Sequence, residues 1–539
     1  MIRVSPHFLP LLINQKGPKL SSILTTHTLA QEDPGGIDGA IQSVFGPFVD
    51  FLEKAVFFSV PVLGADLPLV VVWLVAGGVF CNVYLRVRPI KDAKQAIRAV
   101  RGMLAKKSDP GQVTSFQAFA TELAGTIGLG NIAGVAVAIT MGGPGASFWI
   151  AAAGVLGMAV KLAEATLGQM FRRVNDDGTV AAGPMYFLEY GLKSIGKPKL
   201  GLSLGYFYAI GMALAVMGAG NIFQANQVAM HLTDITGGED SFLFGNGWIV
   251  GLAIAIPAAV VLIGGINSIA NATSRLVPVM SVLYAVAVFV VLGFNFSEIP
   301  NAFVQIFQGA FTPEGVSGGI LGVAIIGIQR ALFSNVAGVG TAALAHGVTK
   351  NRRPAEEGLV AAWEPFLDSV IVCTLTAIAI IVTGEHLNTG ADGITLATNA
   401  FATVSYGFTF VLTACIVLFA FSTVLSYCYY GQVNFGYIFN DNKRAKQIYS
   451  VIYIIMIVVG ASVSLDTVVR FSDATFFLVA IPNLLGIYLL AKPLRKEISS
   501  YREAAAAGEI EPVPEKDRVN LLDHGFPTNQ AKKKEHPHV

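Results

Sequence analysis

AGTIGLGNIAG, residues 124–134, lies in an apolar run (115–140) long enough to cross a bilayer, yet it is a poor helix. Gly125, Gly128, Gly130 and Gly134 each cost about 1 kcal/mol against alanine in a helix, and they are spaced more densely than helix packing requires. In lipid, a chain that leaves the helix strands its N–H and C=O groups away from water. The stretch therefore predicts a helix broken near Gly128–Gly130 and lining a protein cavity. Half-helix N-termini attract a carboxylate, and unwound carbonyls attract a small cation such as Na⁺. One cavity could hold both.

The pattern recurs. GNIAGVA (130–136) is matched by SNVAGVG (334–340), with Asn, Ala, Gly and Val in register, which predicts a second break near Ser334–Gly338. Each segment opens a group of five apolar runs, 115–296 and 316–492. Matching segments that cross in opposite directions are the mark of an inverted repeat.

Composition agrees. Of 539 residues, 53% are hydrophobic and 13% charged, with mean hydropathy +0.61. A soluble chain is usually near 25% charged, so too little charge remains to coat several soluble domains. Eleven runs suit membrane helices: about 66–86, 115–140, 145–171, 203–232, 247–265, 273–296, 316–346, 357–384, 405–430, 447–465 and 470–492. The expected fold is an all-α integral membrane protein of five plus five inverted helices with two broken helices and one extra N-terminal transmembrane helix.

Basic residues set the orientation. Arg86–Lys107, Arg172/Arg173 with Lys193–Lys199, Lys350–Arg353, Lys443–Lys446 and Lys492–Lys496 fall in alternate loops, and the intervening loops carry Glu239, Asp240, Glu298, Glu385 and Asp392. The expectation is a multi-pass protein of the cell inner membrane, N-terminus outside and C-terminus cytoplasmic. It divides into an extracytoplasmic segment (1–58) with a weak resemblance to a signal peptide, the extra helix (59–88), an interfacial amphipathic helix (89–110), the two repeats, and a tail (493–539) that reads as disordered from about 497. A surface helix is expected at 37–57.

Other classes find no support. The net charge of +1 gives no nucleic-acid footprint, and no obligate protein partner is evident. HExxH, GxSxG and Walker A motifs are absent, which argues against an enzyme or an ATP-driven pump. Cys81, Cys373, Cys415 and Cys428 sit in apolar runs without ligand spacing and read as small buried hydrophobes.

Five blocks in order, GTIGLGNIAGVAVAITMGGPGASFW (125–149), GNIFQAN (220–226), RALFSNVAGVGTA (330–342), WEPFLDSVIVCTLTA (363–377) and FAFSTVLSYCYYG (419–431), resemble the alanine or glycine:cation symporter family over about 66–492. That family shares the inverted-repeat architecture of neurotransmitter:sodium symporters. The resemblance implies import of a small neutral amino acid with Na⁺, or in some members H⁺, as coupling ion. It also implies site residues. The backbone N–H groups of Leu129 and Gly130 would take the substrate carboxylate, Gln224 would face the substrate, and Phe333 would close the pocket. Thr126, Ser334 and Asn335 complete the substrate-binding set. One cation site would use Asn131, Ser334 and the Thr126 carbonyl; the other would use the carbonyls of Ala124 and Ile127 with the hydroxyls of Ser422 and Thr423.

The chain departs from the family pattern in two charged positions. Val336 stands where most members carry Glu, and Glu122 stands on the first broken helix where an uncharged residue is usual. Glu122 could replace the missing charge, join Arg330, titrate as a proton site, or form a salt bridge at the cytoplasmic end. The buried charges Lys161 and Glu164, one turn apart, and Glu364 and Asp368 are expected to pair across helices as structural or gating contacts; His231 and His346 are expected at the interface.

Overall fold

The computed structural model describes residues 37–175, 179–312, 318–388, 393–463 and 465–519. The signal-like stretch near the N-terminus lies outside them.

The chain opens with α1 (Ile37–Val56), at the place expected for a surface helix. Residues 59–68, assigned above to the extra transmembrane helix, instead form an antiparallel hairpin, β1 (Ser59–Val62) and β2 (Ala65–Pro68). Leu63 and Gly64 both take positive φ, +50° and +84°, as a tight hairpin turn requires. The helix proper, α2, runs only Leu69–Tyr84 and meets α3 (Pro89–Val100) at 88°. Asp92, Ala96 and Ala99 of α3 are buried while Ile90 and Ile97 are exposed, as a helix lying along an interface would leave them.

The first broken helix is α4 (Ser115–Thr126) followed by α5 (Ala133–Gly142). A capping box starts it: Thr114 Oγ1 accepts from Gln117 N at 3.1 Å and Gln117 Oε1 from Thr114 N at 3.0 Å. Then come α6 (Ala146–Met170), a short helical stretch over 184–194, α7 (Pro198–Ile235), α8 (Gly247–Ile263), α9 (Gly265–Phe294) and α10 (Ile299–Phe311). The second broken helix is α11 (Gly319–Asn335) with α12 (Thr341–His346). It is followed by α13 (Pro354–Val382), α14 (Gly393–Ala402), α15 (Thr409–Ile438), α16 (Lys443–Gly460), α17 (Leu465–Leu489) and α18 (Ala491–Ala506).

Among the described residues, six helices are long and apolar enough to cross a membrane, or eight if each bent pair is one span; α8 and α11 are shorter apolar helices. The apolar side chains point outward as well as inward. In α9 the mean hydropathy reaches 2.5 while only 39% of that window is buried, so its apolar residues face the surroundings, as lipid demands. α6 is the inner pillar. At Gly168 a Cβ would lie 2.8 Å from the Ala343 Cα, so only glycine lets α6 and α12 touch.

One end of the bundle gathers the basic loops. Lys350 N donates to Val113 O (2.9 Å), Arg172 to Thr349 O (2.7 Å), and Arg502 pairs with Asp92 (2.5 Å). The tail is ordered well past 497: α18 continues to Ala506, and the chain returns so that Val513 N reaches Met103 O and Val519 N reaches Ala105 O. Tyr501 and Ile498 are buried there, which a count of polar residues does not reveal.

Candidate functional site

The first break is built by its own sequence. Ile127 N still donates to Leu123 O at 2.7 Å, but Gly128 is extended (φ −137°, ψ −158°) and ends the helix. Asn131 closes the loop, its Oδ1 accepting from Gly128 N at 2.9 Å. Leu129–Asn131 form one 3₁₀ turn, and α5 departs at 52° to α4. As the first residues of that turn, Leu129 and Gly130 have N–H groups without an acceptor inside it.

Beside this turn lies a small cavity lined by Gly125, Thr126, Gly128, Gly130, Ala219, Gln224, Phe333, Thr423, Tyr427 and Phe476. Gln224 comes from α7 where the helix loosens into a π turn over Gly218–Ile222. Its Nε2 donates to Ala219 O (2.9 Å), five residues back, while its Oε1 is buried with no hydrogen-bond partner among the described residues. That oxygen suits an incoming ammonium group. A Cβ at Gly128 would sit 2.7 Å from Thr423 Oγ1 and 3.8 Å from Gln224 Oε1.

Aromatic rings wall the cavity. Phe333 meets Phe223 edge-on (centroids 5.1 Å) and Phe476 at 6.1 Å, and Phe476 meets Tyr427 at 5.9 Å. Above Phe333 the Arg330 guanidinium lies 5.5 Å from the ring centroid and is ion-paired with Asp473. Arg330 therefore does not join Glu122.

The second break is different. Val336 has φ +46°, a costly conformation for a β-branched residue, and Gly338 and Gly340 have φ +100° and +96°. Its N–H groups are already taken. Glu164 Oε1 accepts from Gly338 N (2.9 Å), Gly340 N (3.0 Å) and Asn483 Nδ2 (2.8 Å). Asn335 Oδ1 accepts from Ala337 N at 2.9 Å, and its Nδ2 donates to Ser369 Oγ. Asn335 thus shapes the break, and it is not among the cavity's lining residues.

Of the first cation set, Asn131 and Ser334 come together around a residue not anticipated, Asp368. Asn131 Nδ2 donates to Asp368 Oδ1 (2.7 Å), and Ser334 Oγ to Oδ2 (2.9 Å). Thr126 lines the cavity, its hydroxyl donating back to Glu122 O at 3.2 Å. Of the second set, Thr423 Oγ1 lies 2.9 Å from Ala124 O. Ser422 points elsewhere, donating to Phe419 O (3.0 Å) and Met280 Sδ (3.3 Å). Ile127 is buried at the end of α4, directly before Gly128.

The buried charges find partners across helices. Glu122 receives Lys161, Thr341 and Tyr430, all buried. Lys161 therefore pairs with Glu122, 39 residues away, and not with Glu164 one turn on. Glu364 pairs with His346 and not with Asp368. Neither histidine is interfacial: both are fully buried, and His231 bonds Thr398 (3.1 Å) and Thr413 (2.8 Å). All four cysteines are buried and free.

Sequence reasoning missed Tyr427, Phe476, Ala219 and Asp368. Tyr427 carried a signal, since it lies one turn after Thr423 on the same face of α15. Phe476 carried none, because nothing local fixes which face of α17 turns inward.

The chain matches the model of the sodium:alanine symporter family over residues 51–516. It is 36% identical over 440 residues to the sodium/alanine symporter AgcS of Methanococcus maripaludis, covering 81% of this chain and 94% of that protein. It is 34% identical to the amino-acid carrier protein AlsT of Bacillus subtilis (74% and 83% covered) and 30% identical to that organism's probable sodium/glutamine symporter GlnT (83% and 91%). Among solved structures, MhsT in complex with L-phenylalanine superposes with a TM-score of 0.52, covering 69% of this chain and 89% of that one at 16% identity, a likeness of fold.

Proposed function

Because the chain belongs to the sodium:alanine symporter family, and is therefore a multi-pass membrane transporter and not an enzyme, we propose that it imports a small neutral amino acid, alanine or glycine, coupled to Na⁺ by alternating access. The observation that carries this reading is the pairing of complementary groups across one small cavity. The N–H groups of Leu129 and Gly130 suit a carboxylate, and the unpartnered Gln224 Oε1 suits an ammonium. Phe333, Tyr427 and Phe476 wall that cavity with rings, which favours a small side chain. Two ion pairs flank these elements: Arg330, over the Phe333 ring, with Asp473, and Glu122 of α4 with Lys161 of α6.

The architecture is the five-plus-five inverted repeat with one extra helix, eleven spans in all, the basic end cytoplasmic and the N-terminus outside. Thr423 with the Ala124 carbonyl offers one Na⁺ site; Asn131, Ser334 and Asp368 offer oxygens for another. A proton-driven variant carried by Glu122 finds less support, because Lys161, Thr341 and Tyr430 already engage that carboxylate. The driving force suffices. One Na⁺ crossing 100 mV gains about 2.3 kcal/mol, and a tenfold gradient adds about 1.4 kcal/mol, together enough to concentrate a zwitterion about 500-fold.

Uptake of labelled alanine and glycine into proteoliposomes, with Na⁺ and H⁺ gradients imposed separately, tests the reading. Uptake should follow the Na⁺ gradient, each substrate should compete with the other, and leucine and phenylalanine should not compete. Equal inhibition by leucine, or uptake indifferent to Na⁺, would overturn it.

A further inference from the structure

At the basic end of the bundle, three buried side chains make a contact that a hydrogen count constrains. His346, the last residue of α12, faces a carboxylate with each ring nitrogen: Nδ1 is 2.8 Å from Glu357 Oε2, and Nε2 is 2.6 Å from Glu364 Oε1. All three residues are at most 1% exposed. Two N···O contacts at these lengths need two hydrogens. A neutral imidazole supplies one, and an ionised carboxylate supplies none. The remaining contact would set lone pair against lone pair. The triad therefore holds one hydrogen more than a neutral histidine and two carboxylates possess, whether on the ring or on a carboxyl.

Other charged groups do not replace that hydrogen. Lys161 on α6 is 3.8 Å from Glu364 Oε2 but is bound to Glu122 of α4 and, at 3.0 Å, to Thr341. Glu164 on α6 is occupied at the second break, and Asp368 on α13 bonds Asn131, Ser334 and Ser369. Glu356 on α13 is a further buried carboxylate beside Glu357. Arg172, just beyond α6, donates to the carbonyls of Gly347 and Thr349. Tyr430 of α15 is bound to Glu122, and Tyr208 of α7 donates to Val339 O. Lys350 follows in the next loop.

The triad also ties moving parts together. It joins α12, the inner half of the second broken helix, to α13. Ser115, at the start of α4, donates to Glu357 Oε1, which brings in the inner half of the first broken helix. We propose that Glu357, His346 and Glu364 form a binding site for one proton taken from the side of the basic loops, and that the bound proton latches α4 and α12 shut beneath the substrate cavity. Releasing it leaves a neutral ring between two carboxylates. One hydrogen bond is lost and a buried negative charge is uncompensated, so the latch opens. The role in transport rests on the alternating-access reading above; the proton count does not.

Two measurements test this. In the full-length protein in detergent near neutral pH, ¹⁵N-histidine NMR, with His346 assigned by loss of its signals in His346→Gln, should show both ring nitrogens protonated. Failing that, infrared difference spectra should show a protonated carboxyl band that disappears in Glu357→Gln or Glu364→Gln. A singly protonated ring with no such band overturns the site, and neither readout needs a substrate. For the latch, internal pH of proteoliposomes is stepped through the titration found spectroscopically. Alanine flux should change by about tenfold per pH unit at its steepest, the slope of one proton. Glu364→Gln lets the introduced amide donate to Nε2, so the extra proton is no longer needed and the flux profile should become flat. An unchanged profile in Glu364→Gln, or a proton retained over the whole range in which the protein stays folded, overturns the latch.

Discussion

The two broken helices share a sequence pattern and differ in what satisfies their backbone. At the first break, Gly128 is extended, Gly128 and Gly130 line a cavity, and the N–H groups of Leu129 and Gly130 have no acceptor within the turn. At the second, Glu164 from α6 occupies the N–H groups of Gly338 and Gly340, and Asn335 and Asn483 bond its other groups. Identical local chemistry thus has two fates. Where a protein carboxylate fills the N–H pair, the break is a structural joint. Where none does, the pair has no acceptor within its own turn.

The largest effect expected is at the joint. Glu164→Ala would leave two buried N–H groups unsatisfied, at about 1–3 kcal/mol each. A pronounced loss of thermal stability in detergent should follow, with little folded protein. A melting temperature equal to wild type would mean that the second break does not depend on its internal carboxylate, and the contrast would fail.

At the open break, Gly128→Ala should spare folding and strike function. The added methyl meets Thr423 Oγ1 and must push it from Ala124 O. Uptake should fall at least about tenfold, the equivalent of 1.4 kcal/mol, while size-exclusion profile and melting temperature change little. Normal uptake would remove the cavity from the substrate's path.

The smallest effect separates two neighbours on α15. Thr423→Ala should raise the Na⁺ concentration for half-maximal uptake about fivefold, since a lost ligand is worth about 1 kcal/mol. Ser422→Ala should barely move it, because that hydroxyl faces Phe419 O and Met280. Equal shifts in the two variants would return Ser422 to the cation site.

Much of this was legible in the sequence. Among the described residues each apolar run lies mainly on a helix, the first only from Leu69, and both breaks lie where the glycines placed them, because hydropathy and backbone propensity are local properties. Partner choice is not local. Lys161 is one turn from Glu164, yet it reaches Glu122 across the bundle, because the depth and rotation of α4 against α6 decide which charges meet. For the same reason the sequence does not show that Asp368 gathers Asn131 and Ser334. The ordered tail was hidden because a few anchors, Tyr501, Val513 and Val519, outweigh many polar neighbours.

That tail has a consequence for biosynthesis. The loop joining α3 to α4 is held by Val513 and Val519, and α3 itself by Arg502, which grips both Asp92 and the Leu85 carbonyl. A chain made at about 5–20 residues per second emerges with α3 about 20 to 80 s before these partners exist. Through that interval the entrance to the first broken helix lacks its fastener. The bundle is completed by joining an early segment to a late one, and residues made late fix the position of residues made early.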